Sequence, residues 1–221
     1  MLFTLGYISP IFILKKNNKG ALNISHFIPV NWFNRPSTQV APDLLGCTLV
    51  RQIDGEIVRS QIVETEAYEA GDPAMHQYQQ KTERNAVVFG PAGFAYVYRI
   101  YRQYHCFNIV TDRDGFASTI LIRAVHLATL PSWHIPKKKP DKLEKVAAGP
   151  GKLCRELQID RSLRGISIHP DSGLWVEPRK KLGKSAALLP EITQTTRIGL
   201  SKGVDIPWRW YISNSPAVSR K

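Results

Sequence analysis

Cysteine is scarce in this 221-residue chain: Cys47, Cys106 and Cys154 stand far apart, with no Cys-x-x-Cys pair. That excludes a disulfide framework and a structural zinc site. It makes a reducing interior, cytoplasmic or nucleoid and not secreted, the expected compartment. The six histidines are scattered, and neither His-Glu-x-x-His nor His-x-Glu followed by Cys-x-x-Cys occurs, which excludes a zincin and a zinc deaminase. A Walker loop and a Gly-x-Gly-x-x-Gly turn are missing too. Long apolar runs are absent. The stretch from Leu2 to Leu14 is broken by Gly6 and Pro10 and is too short for a bilayer, and its lysines follow the apolar residues, the reverse of a secretory signal. Residues 1–28 are therefore expected to be an extension, disordered or a mis-assigned start, ahead of one domain over 29–221. Acid is the other shortage. Lysine and arginine number 30 against 18 aspartates and glutamates, giving a net charge of +12 and a pI near 9.8. Such a surplus points to a polyanionic partner, nucleic acid before an anionic membrane surface.

Where acid is scarce, its placement is informative. Val63-Glu64-Thr65-Glu66-Ala67-Tyr68 ends a β-like run with two carboxylates two residues apart, hence on one face of a strand. Residues 47–53 and 56–64 read as strands joined by Asp54-Gly55, a hairpin signal. Ahead of them a short helix is expected to end at Gly46, with Leu44 and Leu45 packed inward. Residues 70–93 read as loop. Residues 94–100 and 104–110 form a second hairpin with Tyr101-Arg102-Gln103 at its tip, which puts Tyr96 and Tyr98 on one face. Residues 118–125 make a further strand carrying Arg123. A mobile Lys- and Pro-rich loop is expected over 131–145, then a short helix from Gly149 to Leu157 with Pro150 in its first turn. Residues 180–187 are a loose basic stretch, and 196–212 return to β-like, aromatic character. The predicted architecture is mixed α/β (α+β), one domain around an antiparallel sheet.

These residues supply what hydrolysis of an N-glycosidic bond in duplex DNA demands. The target nucleotide must leave the stack, a wedge must fill the gap, and the extruded base needs flat partners. A carboxylate must also activate water opposite an oxocarbenium-like sugar. Glu66 is the candidate general base, and one base suffices when the leaving purine is already activated. Glu64 is a neighbour or ion-pair partner. Tyr68, His76 and Tyr98 are candidate stacking walls, Tyr101 the candidate wedge, and Arg123 a holder of water or phosphate. For Tyr68, His76 or Tyr98 taken alone a place in the core is the plainer reading, for Tyr101 an exposed loop residue, and for Glu66 an ion pair with Arg123 or another basic residue. A competing class keeps the aromatics and the charge without the chemistry: a non-catalytic nucleic-acid-binding module using the tyrosine-rich sheet as a stacking platform. It has no need of Glu66.

From about Pro29 onward the chain resembles the alkyladenine (3-methyladenine) DNA glycosylase family of base-excision repair. The resemblance rests on an ordered series: Leu44-Leu45-Gly46, Val63-Glu64-Thr65-Glu66-Ala67-Tyr68, Asp72-Pro73-Ala74 with His76, and Thr82 with Arg84-Asn85. It continues through Tyr96-Val97-Tyr98, Cys106-Phe107-Asn108, Leu121-Ile122-Arg123-Ala124, Gly149-Pro150-Gly151-Lys152-Leu153-Cys154 and Arg197-Ile198-Gly199. It implies a monomeric, metal-free and cofactor-free glycosylase acting on double-stranded DNA that holds damaged purines. It implies a curved antiparallel sheet with surrounding helices and a protruding DNA-intercalating hairpin. Carried over residue by residue, Glu66 activates water and Arg123 helps hold it. Tyr98 lies on one side of the flipped base, Tyr68 and His76 on the other. The backbone around Ala74 and His76 reads the purine edge, Asn108 crowds the exocyclic amine of normal guanine, and Tyr101 fills the vacated stack. Arg84, Arg102 and Lys152 are candidate contacts to the DNA backbone. One departure stands at the tip, where the family usually has glycine after the intercalating tyrosine and this chain has Arg102. Arginine tolerates a positive φ poorly, so a different turn and an added phosphate contact are expected.

Overall fold

The computed structural model of the chain describes residues 13–16, 22–25, 27–75, 81–139, 141–179 and 190–221. Within the segment expected as an extension, β1 (Ile13–Lys16) and β2 (Leu22–Ser25) pair with each other in a sheet of their own. Helix α1 (Ser37–Asp43) follows and stops at Gly46, which takes φ +83°. Arg179 serves its freed carbonyls, donating to Leu45 O at 2.5 Å and Asp43 O at 2.7 Å. Leu44 and Leu45 are fully buried as expected, each worth about 1.5–3 kcal/mol of burial.

Strands β3 (Thr48–Ile53) and β4 (Glu56–Glu69) meet at Asp54-Gly55, where both residues take positive φ, as the twist of a two-residue hairpin requires. Then come β5 (Ala95–Ile100), β6 (Tyr104–Val110), β7 (Ser118–Leu127), α2 (Pro150–Glu156), β8 (Leu174–Glu177), β9 (Ile192–Thr195) and β10 (Arg209–Ile212). The main sheet is antiparallel and open, with eight strands among the described residues. It runs β5-β6-β7-β4-β10-β9, with β3 on β4 and β8 on β3. Helix α1 packs on β4, β7 and β10, and α2 on β6 and β7.

Strand β4 is the spine. On one edge β3 pairs with its first half and β10 with Glu64–Glu66, while β7 follows the other edge from Ser60 to Glu69. Burial alternates through the first half, but every residue from Ile62 to Ala67 is buried, because the strand dives between layers there.

Three expectations change. β4 runs to Glu69, past the polar residues that look like a strand end, because β7 and the segment before β10 supply its partners. In the 196–212 region only Arg209–Ile212 is strand, and β8 is an addition, four residues recruited by the free edge of β3. The 131–145 segment is tied down at its start. Ser132 donates from both N and Oγ to Glu56, Trp133 Nε1 donates to Glu156 O at 2.8 Å, and His134 Nδ1 lies 2.6 Å from Glu156 Oε2. The basic stretch at 180–187 lies outside the described residues. No helix among the described residues is long and apolar enough to cross a membrane.

Candidate active site

Polar side chains in a doubly buried strand must bring partners with them. Thr65 turns toward α1 and donates to Ala41 O at 2.9 Å. Glu64 and Glu66, both fully buried, share the other face as the period of two predicts. Opposite them the β4–β7 register slips by one at Glu64 and returns at Thr65. Irregularities of this kind re-aim side chains beside functional sites. Arg123, on β7, falls in the slip and reaches both acids, with Nε 3.2 Å from Glu64 Oε1 and Nη1 3.3 Å from Glu66 Oε2. Burial works against its charge, but Glu66 and then Glu64 more than offset this and raise it above an ordinary guanidinium.

The two acids differ in what else they hold. Glu64 also accepts from Arg209 Nε at 2.7 Å, Ser219 Oγ at 2.9 Å and Ser219 N at 2.7 Å. Three of these four donors fall on Oε1 and one on Oε2. Glu66 accepts three: Tyr68 OH at 2.7 Å and Arg123 on Oε2, and Ile198 N at 2.8 Å on Oε1. One acceptor position on Oε1 has no donor among the described residues. Two glutamates against Arg123 and Arg209 make a neutral buried quartet, the condition under which such charges are tolerated. The Tyr68 phenol is pushed well up by burial and then by the Glu66 charge, so it stays protonated and keeps donating.

Around this floor the predicted site residues fall as follows. Tyr98 is half-buried, its ring 5.4 Å from that of Tyr96 and its phenol pushed up by burial. Asn108 is buried and donates Nδ2 to Tyr96 O at 3.2 Å. Ala74 has already committed its N–H to Asp72 Oδ1 at 2.9 Å, and its carbonyl takes no donor among the described residues. His76 lies outside the described residues. Arg84 is exposed, and its carbonyl accepts from Arg164 Nη1.

Tyr101 is 83% exposed at the tip of the β5–β6 hairpin. Tyr101 and Arg102 take φ of 45° and 63°, and Gln103 N donates to Tyr101 O at 2.8 Å. The different turn expected from arginine is not found. Arg102 itself enters the left-handed region, at a cost of about 1–2 kcal/mol, because a tight hairpin's twist favours positive φ there. The hairpin is braced by Tyr104 against Gly151, where an added Cβ would come within 2.9 Å of the Tyr104 ring. Beside it lies an open groove of about 360 Å³, lined by Tyr101, Tyr104, Lys137, Lys152 and Arg155. Lys152 Nζ is shared between Lys145 O at 3.1 Å and Asp141 at 3.2 Å. Among the described residues no three His, Cys, Asp or Glu side chains gather as a metal-binding group.

Sequence reasoning overlooked Arg209, Ser219 and the Ile198 N–H, which hold the acids in place. It saw Asp72 and Arg197 only as parts of motifs. Arg197 is buried, paired with both oxygens of Asp72, and stands 4.8 Å from the Tyr68 ring. Its place in the Arg197-Ile198-Gly199 motif was the available signal.

Comparison with known proteins gives this arrangement a family. The sequence profile of methylpurine-DNA glycosylase (MPG) matches residues 31–216. A protein of Trichodesmium erythraeum (strain IMS101) is 52% identical over 194 residues, covering 86% of this chain and 95% of the relative. One from Synechococcus sp. (strain JA-3-3Ab) is 55% identical over 195 residues, covering 85% and 96%. One from Methanoculleus marisnigri is 41% identical over 195 residues, covering 88% and 99%. All three carry the name "Putative 3-methyladenine DNA glycosylase". The chain belongs to the methylpurine-DNA glycosylase family and is a DNA-repair hydrolase of N-glycosyl bonds.

Proposed function

We propose that the enzyme excises alkylated or deaminated purines, the class of 3-methyladenine, 7-methylguanine, hypoxanthine and ethenoadenine, from double-stranded DNA, with water activated by Glu66. The difference between the two buried acids carries this reading. Glu64 is tied by four donors, two of them guanidiniums, whereas Glu66 takes three and keeps one acceptor position on Oε1 beside Ile198 N, the place for a water proton. Sealed from bulk solvent and held by Tyr68, Ile198 and Arg123, the carboxylate needs no reorganisation as charge develops at the sugar. Arg123 is the water's second holder. The flipped base is stacked between Tyr98 and Tyr68, with His76 beside Tyr68. Ala74 offers its carbonyl to the purine edge, Asn108 stands against the amine of guanine, and Tyr101 fills the gap in the duplex. The protein acts as a monomer, without metal or cofactor, and residues 29–221 are its catalytic domain.

The test uses duplexes bearing one hypoxanthine or one alkylated purine. Wild type releases the free base and leaves an abasic site, while Glu66→Gln binds the same duplex without cleaving it. Excision surviving in that variant would remove Glu66 from the mechanism. Arg102 is proposed to contact a phosphate. Because its φ of 63° suits glycine, Arg102→Gly tests the side chain without disturbing the turn. Its affinity is expected to fall, with the salt slope smaller by about one. An unchanged slope would rule the contact out.

A further inference from the structure

Building on that reading, we infer that Arg197, clasped to Asp72, is a positioning residue that keeps the base-stacking wall and the water-activating carboxylate in fixed relation. Its side chain is fully buried, yet it stands outside the quartet of Glu64, Glu66, Arg123 and Arg209. Its Nη atoms join three separate segments: Nη1 donates to Ala67 O at 2.9 Å and to Asp72 Oδ2, Nη2 to Asp72 Oδ1 at 2.8 Å and Gly203 O at 3.4 Å. The guanidinium carbon lies 4.8 Å from the centre of the Tyr68 ring and 5.3 Å from that of Trp208, the geometry of a cation held against aromatic faces. Its Nε is buried and has no hydrogen-bond partner among the described residues.

The next residue completes the link. Ile198 N donates to Glu66 Oε1 at 2.8 Å, on the oxygen that keeps the vacant position. One dipeptide thus touches Tyr68 with its side chain and Glu66 with its backbone. Asp72 at the same time accepts from Ala74 N, at the start of the segment proposed to face the purine edge. A single ion pair therefore sets the spacing between the base and the carboxylate.

The experiment compares wild type, Glu66→Gln, Arg197→Lys and the double variant Arg197→Met/Asp72→Asn in the full chain. Removing both charges together avoids stranding one of them in the interior. Three quantities are read: the single-turnover rate of base release from a hypoxanthine duplex, the Kd for a duplex with a non-cleavable abasic analogue, and thermal stability. The rate is expected to fall on the order of 10- to 100-fold in both Arg197 variants, as for misplacement of about 1 Å, while Kd stays within about threefold. A folded double variant excising at the wild-type rate overturns the inference, as does affinity falling in step with the rate. A wild type that releases no base sinks the reading and the inference together. A wild type that excises, beside an equally fast double variant, sinks the inference alone.

Discussion

Glu64 and Glu66 are the same residue on the same face of one strand, equally buried and both touching Arg123, yet different sets of donors hold them. Glu64 answers to two guanidiniums and both donors of Ser219, three of these four bonds falling on Oε1. Glu66 shares one guanidinium, takes a phenol and a backbone N–H, and stays open at Oε1. Sequence type and burial do not separate the two acids here. The number of donors does.

The contrast breaks most visibly when each acid is replaced by its amide. Glu66→Gln should lower single-turnover excision by about 10²–10⁴-fold, with a smaller loss of stability than Glu64→Gln, because Arg123 keeps Glu64 and Arg209 is untouched. Glu64→Gln should do the reverse. It strands part of the charge of Arg209 and Arg123 and costs about 3–5 kcal/mol in chemical denaturation, while the fraction still folded at low temperature keeps excising. Equal behaviour of the two variants in both assays would end the distinction. Tyr68→Phe sharpens it further by stripping one donor from Glu66 alone. A hydrogen bond to a charged group is worth about 1.5–3 kcal/mol, so the variant should lose about that much stability and also excise more slowly, where a purely structural tyrosine would give only the first.

The smallest effect is in pH. Burial raises the thiols of Cys47 and Cys106 from 9.0 to about 11 and lifts the phenols of Tyr68 and Tyr98 too. The unfolded chain therefore releases these protons first. Their contribution to stability is complete below pH 9 and drains as pH climbs through about 11. Urea midpoints measured across this range should decline, less steeply in Cys106→Ala.

Much of the framework was legible because it is written locally. Asp54-Gly55 announces its hairpin by φ alone, and the alternation around Tyr96 and Tyr98 places both rings. Glu64 and Glu66 share a face by the period of two. What holds the acids was not legible. Ser219 and Arg209 come from 155 and 145 residues away, and no local pattern marks a donor at that separation. Strand β4 looked finished at Glu64 because its polar residues resemble a solvated end; only the distant donors make them an interior. At the tip a residue-level rule about arginine lost to the twist of the whole hairpin.

The closing of the floor by Ser219 also has a consequence in time. A ribosome making about 5–20 residues per second exposes Glu64 on the order of ten seconds or more before Ser219 exists. Through that interval the strand carrying both acids cannot be sealed, and the nascent chain must keep it wet. Any event that ends synthesis short of Ser219 yields a protein with nearly all of its core and an acid it cannot bury.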